Sequence, residues 1–519
     1  MVPEKKADRV RSHIYLQMCD LVLYILVYDF VILYVCMYMK KEIIKDLLIA
    51  GAFISIALPF VAFGATEDVF ETSGWIPYWK AQAGVDDTMP NLDALSEINP
   101  FVYSVKQNGD LYVSDPLTEA RWQQLRVAAD NQGIRFIPTV MWSNSDAMHE
   151  VFSDPEKRRS HVRSIVSEVF RQNLDGIDID YEAKYAKTRP YFSLFLQDLY
   201  NAMGYNKWIM CTIEARTPLS ARYSSPESIP ADIEYANDFD EINKYCNRVR
   251  IMAYDQGRID LQLNKEKSHP YIPVADVDWV RKVMELTAQD IDKEKLVIGV
   301  PTYGYEYDMF IDSDGDTRYS RLWSFNPGYA QETQDALGIS PVRNSAGELF
   351  LTYPASQSID PVIPLPNATR VMSWSDAESI RQKVELAKEL GLRGVAVFKF
   401  DGGEDQGVWN VLREHVGSAT KIADKTVDTT VNDDVVTVVA PRITRDLEIG
   451  DVHEEVRALQ KYLNAIGFTV SSSGPGSVGN ETNVFGPATQ SAVIRFQKAN
   501  NITPAVGYVG PLTRSALGS

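Results

Sequence analysis

The sequence predicts an α/β protein, a (β/α)8 TIM barrel followed by a small three-helix binding domain. Three observations point there. From Thr72 to about Val416, short runs rich in β-branched and aromatic residues alternate with amphipathic helical stretches, the signature of a parallel sheet with crossover helices. Eight such runs occur, the strand number of a closed barrel. No glycine-rich phosphate loop follows the first run, which disfavours the alternative, an open doubly wound sheet.

The strands are expected at 73–79, 101–105, 135–141, 174–182, 208–214, 249–254, 296–301 and 395–400. Helical periodicity marks 118–131, closed by Gly133, then 156–172, 191–203, 277–286 and 377–390. In the last, Ser375 and Glu378 read as a capping box, and Gly391 as the stop. The intervals 215–248 and 302–394 are too long for plain connections and read as insertions at the barrel mouth. Asp312-Ser313-Asp314-Gly315-Asp316 in the second resembles the start of a calcium loop but lacks the closing bidentate Glu, so it reads as a solvated acidic turn. A Thr-, Val- and Asp-rich stretch at 417–442 reads as a linker. The segment 443–519 shows three short helices: one with Val456, Leu459, Leu463 and Ile466 on a face ended by Gly467, one begun by Pro487, one begun by Pro511.

The 519 residues are enough for two or three domains, and the net charge of -18 disfavours nucleic acid as a partner. A neutral partner fits better. Of four cysteines, Cys211 and Cys246 lie beyond the N-terminal segments without CxxC spacing, so they read as buried thiols, with neither a metal site nor a disulfide framework expected. Two apolar runs open the chain, 14–39 and 47–65, with Met39-Lys40-Lys41 between them. From Met39 onward the basic start, apolar middle and small residues before Ala65 describe a secretory signal or membrane anchor, which makes 1–38 an upstream extension. The expected location is therefore extracytoplasmic, secreted or held at the cell surface, with membrane contact only through this segment.

Within the fourth strand the sequence is DGIDIDYE, Asp175 to Glu182. Period two puts Asp178, Asp180 and Glu182 on one face and Ile177, Ile179 and Tyr181 on the other, with Asp175 ahead of the strand proper. The apolar set packs under the outer helices, so the acids point to the barrel axis, with Glu182 at the carboxyl end, where barrel active sites lie. Acids about 7 Å apart along a partly desolvated strand have coupled ionisations, and one proton is held above its ordinary affinity. That is the condition for a proton donor near neutral pH. An exposed acidic edge or a metal-binding carboxylate cluster is the competing reading, and the isoleucines and the absence of histidines from the strands disfavour it.

DGIDIDYE resembles the DGxDxDxE signature of glycoside hydrolase family 18, the chitinase-like barrels. Met252-Ala253-Tyr254-Asp255 on the sixth strand, Gly299 to Asp308 on the seventh and Trp75-Ile76-Pro77-Tyr78-Trp79 on the first resemble further family segments, so the likeness spans 72–416. It implies retaining, substrate-assisted hydrolysis, in which the substrate's own 2-acetamido oxygen is the nucleophile. Glu182 would be the acid and base. Asp180 would hold the acetamido N–H and balance the oxazolinium, Asp178 would share a proton with Asp180, and Tyr254 would bind the acetamido oxygen. Asp255 would line the same subsite. Asp175, Tyr78, Trp79, Trp142 and Glu214 are further substrate-binding candidates, although the aromatic residues, Trp75 included, suit the core equally well, and Glu214 with Arg216 suits a plain ion pair. Phe398 stands where the family has a Trp beneath the cleaved sugar, and the third strand lacks the family's SxGG. No cofactor and no metal is implied.

The last segment resembles the peptidoglycan-binding domain type 1, through Val456-Arg457-Ala458-Leu459-Gln460, Leu463-Asn464, Phe485-Gly486, Thr489, Phe496-Gln497, Gly510 and Thr513. Such a module beside the barrel implies peptidoglycan as the glycan. A chitinase or chitooligosaccharidase is the second reading, and a non-catalytic binder of chitin or peptidoglycan the third. Retention of Glu182 argues against the third.

Overall fold

The structure, a computed structural model, describes residues 70–204, 207–359, 365, 367–417, 443–471, 474–500, 502 and 504–517. The apolar segments before residue 70 and the linker 418–442 lie outside the described residues. Among those described, no helix is long and apolar enough to cross a membrane.

Eight parallel strands close on themselves: Glu71–Pro77, Glu97–Val105, a third split into Arg135–Phe136 and Thr139–Trp142, then Gly176–Tyr181, Trp208–Glu214, Arg248–Met252, Leu296–Pro301 and Gly394–Phe398. Each pairs with the next, and the first also pairs with the eighth, Thr72 opposite Val395, which leaves no open edge. All eight expected runs are strands. The second begins four residues early because Glu97, Asn99 and Pro100 hide its pattern, yet both polar side chains are buried. Ile177, Ile179, Ile209, Ile213, Val249 and Ile251 pack outward under the helices, while Trp75, Phe101, Val297 and Ala396 meet inside.

Helix ends follow local chemistry. Asp154 accepts the N–H groups of Glu156 and Lys157 at 2.8 and 3.1 Å and starts Pro155–Arg171, with proline at the first position. Ala120–Gln132 ends on Gly133 at φ 76°, a left-handed backbone that an L side chain disfavours. The cap of Ala377–Glu389 differs from expectation. Asp376, one residue on, accepts the Ser379 N–H at 3.0 Å, because a carboxylate there outcompetes the Ser375 hydroxyl.

The interval after the seventh strand is a folded subdomain. Five antiparallel strands stand in the order Thr317–Phe325, Gly304–Ile311, Thr369–Trp374, Leu349–Pro354, Val342–Arg343, with helix Pro327–Leu337 over Phe325, Leu351, Met372 and Trp374. Asp312 to Asp316 form the turn of its hairpin, where Asp312 accepts the N–H groups of Asp314 and Asp316 and pairs with Arg318 at 2.5 Å.

Cys211 and Cys246 are joined in a disulfide, which corrects the reading of buried thiols. Cys211 faces outward from the fifth strand, and Cys246 follows helix Phe239–Tyr245. This helix folds back so that the two Cα atoms stand 6.0 Å apart, a proximity that a separation of 35 residues does not advertise. Closing a loop of that length stabilises the folded chain by about 3–4 kcal/mol in the chain-entropy picture. The double variant Cys211→Ser/Cys246→Ser is expected to melt several degrees lower, read by calorimetry; an unchanged melting temperature would contradict the assignment.

The C-terminal domain packs helices Glu454–Ala465, Pro487–Ala499 and Pro511–Leu517 around Leu447, Leu459, Leu463, Phe485, Val493 and Phe496. Its two buried glutamines act as loop clamps. Gln460 donates to Thr489 Oγ1 and accepts the Thr482 N–H, at 2.8 and 2.7 Å, and Gln497 donates to the Tyr508 carbonyl and accepts the Gly507 N–H, at 2.7 and 2.8 Å. Satisfied on both ends, they specify loop positions at little cost.

Candidate active site

On the fourth strand the alternation sorts the side chains as period two requires. Ile177, Ile179 and Tyr181 enter the core outside the barrel, Tyr181 meeting His161 Nε2 at 2.7 Å, and Asp178 and Asp180 turn inside, both buried. Glu182 stands just beyond the strand, half-buried, its N–H bonded to the Trp142 carbonyl at 2.8 Å.

The acids differ in surroundings. Asp178 accepts hydrogen bonds from Trp75 Nε1 (2.9 Å), Thr139 Oγ1 (2.7 Å) and Thr212 Oγ1 (2.9 Å), and Arg250 Nη1 lies 3.0 Å from its Oδ2. Asp180 has a buried Oδ1 with no hydrogen-bond partner among the described residues. Burial, then the charges of Glu182 and Asp178, push its proton affinity well up, with Lys184 opposing. Glu182 is also shifted upward, by burial first, then by Glu214 and Asp255, against the pull of Lys184. Lys184 is itself buried, bonded to the Tyr181 carbonyl and 3.7 Å from Glu214. Burial raises the proton affinity of Glu214, but Lys184 and the Ala183 N–H at 2.8 Å lower it on balance.

Aromatic side chains line the mouth above the acids. Phe398, ending the eighth strand, stacks on Tyr254 with ring centres 5.9 Å apart and meets Trp75 and Tyr303 edge-on. The Tyr254 hydroxyl has its proton held more tightly by burial first and then by Asp180 and Asp255. Asp255, at φ 58°, accepts from the hydroxyls of Tyr303 and Tyr305 at 2.5 and 2.8 Å. Tyr78 and Trp79 follow the first strand and are 44% and 49% exposed, and of the two Trp79 lines the cleft. A cleft of about 460 Å³ runs between Trp79, Phe398, Asp255 and the inserted subdomain's Tyr305 and Asn326. Among the described residues, no group of three or more His, Cys, Asp or Glu is arranged for a metal ion.

Several candidates stand elsewhere. Asp175 lies at the amino end of its strand and accepts the Phe136 N–H at 2.8 Å, at the opposite end of the barrel from Glu182, so it does not line the cleft. Trp142 faces outward and is 2% exposed, packed on Phe152 and Tyr181, because inward parity on the third strand belongs to Thr139 and Met141. Trp75 is likewise core, serving the site through its indole N–H. Glu214 pairs with Lys184, not Arg216, whose guanidinium lies over Tyr235 and Phe239 and pairs with Asp290 at 3.3 Å.

Sequence reasoning missed Arg250, Lys184, Tyr303, Tyr305 and Asn326. For Arg250 a signal existed: in RVRIM, Val249 and Ile251 face outward, so the same alternation turns Arg250 inward.

Comparison with known proteins agrees with this geometry. The family model for glycosyl hydrolases family 18 matches residues 74–403, and that of a putative peptidoglycan binding domain matches 452–517. The uncharacterized glycosylase YvbX of Bacillus subtilis (strain 168) is 21% identical over 70% of this chain and 97% of its own. The cortical fragment-lytic enzyme of the same organism is 23% identical over 59% of this chain and 64% of its own. The crystal structure of the spore cortex-lytic enzyme SleL of Bacillus megaterium QM B1551 superposes with a TM-score of 0.52 at 20% identity, covering 67% of this chain and 74% of that one, a likeness of fold.

Proposed function

Because the chain belongs to glycosyl hydrolases family 18, and is thereby a glycoside hydrolase, we propose that it cleaves β-1,4 bonds at N-acetylglucosamine in peptidoglycan by retaining, substrate-assisted catalysis. The observation that carries this reading is the graded acid row: a Glu182 of raised proton affinity at the mouth, beside a buried Asp180 whose free Oδ1 is an unfilled acceptor. In the reaction Glu182 donates its proton to the glycosidic oxygen as the acetamido oxygen attacks the anomeric carbon. It then takes a proton from the water that opens the oxazolinium, which restores the acid and releases the product with its configuration retained. Asp180 Oδ1 receives the acetamido N–H and, as an anion, balances the cation that forms. Tyr254 orients the attacking oxygen, Asp255 lines the same subsite, and Phe398 and Trp79 supply apolar faces for sugar rings.

Peptidoglycan is favoured over chitin by the C-terminal module, which would raise local substrate concentration by tethering. Its place of action is outside the cytoplasm, secreted or surface-held; the Cys211–Cys246 disulfide suits an oxidising compartment. Digestion of purified peptidoglycan and of chitin oligomers, with mass analysis of reduced products, tests this. The expected result is muropeptides ending in reducing N-acetylglucosamine, absent from a Glu182→Gln control. Release from chitin oligomers alone would leave a chitooligosaccharidase.

A further inference from the structure

Asp255 is an exposed carboxylate on a loop, yet its direction is over-determined. Its φ of 58° is a left-handed backbone that an L side chain keeps only when its surroundings enforce it, and Gly257, two residues on, is left-handed as well at φ 53°. Between them lies Gln256, which is buried. We propose that Gln256 is a positioning residue that aims the Asp255 carboxylate into the cleft, by fastening the loop that bears it to the segment 271–276 and, through Glu348, to the inserted subdomain. This rests on the reading of Asp255 as a substrate-lining group and adds the residue that sets its direction.

The fastening is a closed ring of hydrogen bonds. Gln256 Nε2 donates to the Tyr271 hydroxyl at 3.0 Å, that hydroxyl donates to Asp276 Oδ2 at 2.8 Å, and the Asp276 N–H returns to Gln256 Oε1 at 2.8 Å. The backbone adds two more bonds, from the Gln256 N–H to the Val274 carbonyl at 2.9 Å and from the Gly257 N–H to the Pro273 carbonyl at 3.1 Å. A buried amide satisfied at both ends has one orientation, and the loop carrying it has one path.

The segment 271–276 is itself pinned from the other side. Glu348, fully buried ahead of the strand Leu349–Pro354, accepts the N–H groups of Val274 and Ala275 at 3.0 and 2.6 Å and the Ser373 hydroxyl at 2.6 Å. The same subdomain reaches Asp255 directly, since Tyr305 on its strand Gly304–Ile311 and Tyr303 just before it both donate to Oδ1. Oδ2 is left for a sugar hydroxyl in the cleft that Asp255 lines. The carboxylate is thus held from above by two hydroxyls and from behind by Gln256, and both grips lead to one inserted sheet.

Gln256→Met keeps the length of the side chain and removes both of its bonds, and a cycle with Asp255→Asn tests the assignment. KM and kcat are measured on the N-acetylglucosamine tetramer, and dissociation constants for the same tetramer by calorimetry in the Glu182→Gln background. Gln256→Met is expected to raise KM and the dissociation constant about tenfold, the scale of one hydrogen bond to a charged group, with kcat changed by less than about threefold. Asp255→Asn should weaken binding at least as much, and the double variant should match Asp255→Asn within about twofold, because Gln256 has nothing left to aim. If Gln256→Met fails to fold, Tyr271→Phe opens the same ring and should show the same non-additivity. Losses that multiply in the cycle, wild-type affinity in the folded ring variant, or wild-type affinity in Asp255→Asn overturns the assignment, since a merely structural role would weaken binding equally with or without the carboxylate. Equal turnover by wild type and Glu182→Gln would sink the hydrolytic reading, whereas the dissociation constants decide this inference without any turnover.

Discussion

Glu182→Gln is expected to lower kcat by about three orders of magnitude while KM stays within about threefold, because general acid–base catalysis contributes on that scale and the amide keeps the shape of the side chain. The amide can neither protonate the leaving oxygen nor deprotonate water. Burial, Glu214 and Asp255 raise the proton affinity of Glu182. The basic limb of the wild-type profile should therefore fall above the ordinary glutamic acid range, and the variant should lose that limb along with its activity. Initial-rate assays on N-acetylglucosamine oligomers across pH, with near-UV circular dichroism as a check of fold, measure both. Residual turnover above a tenth of wild type would remove Glu182 from the chemistry.

Asp180→Asn should move activity and stability in opposite directions. Activity falls about a hundredfold or more, since the neutral amide cannot balance the oxazolinium charge. Stability near neutral pH rises, by a sign that can be worked out. Asp180 binds its proton more tightly in the folded chain than the ordinary value of 3.8. As pH rises past that value, the unfolded chain releases the proton while the folded one retains it, so folding loses free energy until the folded group also ionises. Asn carries no such cost. The variant is expected to melt a few degrees higher at pH 7, with the gap closing as pH falls toward 4; an equal or lower melting temperature at pH 7 would mean that Asp180 is not a strained acid. Trade-offs of this kind are usual where function requires an unfavourable buried group.

β-branched and aromatic runs alternating with helical stretches are enough to place the eight strands, and on the fourth, period two puts Asp178, Asp180 and Glu182 inside. Applied to RVRIM it would also have placed Arg250, but a basic residue in a strand draws less notice than an acid triplet. For Trp142 the sequence leaves core and sugar-stacking readings open, because the third strand is broken between Phe136 and Thr139 and its alternation cannot be counted through from the start; the structure puts it in the core. Asp175 was drawn in by motif adjacency, although the strand that follows carries Glu182 some 20 Å away from it. Lys184, Tyr303, Tyr305 and Asn326 depend on loop paths and on an inserted sheet whose register no local pattern encodes. The disulfide is of the same kind: an outward-facing sulfur on the fifth strand meets one carried back to it by a returning helix.

The donors around Asp178 come from the first, third, fifth and sixth strands, and the strand bearing Asp178 lies between the third and fifth. No single hairpin-sized fragment can assemble that set. During biogenesis, a chain with only its middle strands ordered would have a bare carboxylate facing an unfinished interior, and Trp75, among the earliest residues of the barrel, can complete the cage only after the sheet has curled round. Catalytic competence and ring closure are therefore one event. A partially assembled molecule would carry an incomplete acid row until its barrel had shut.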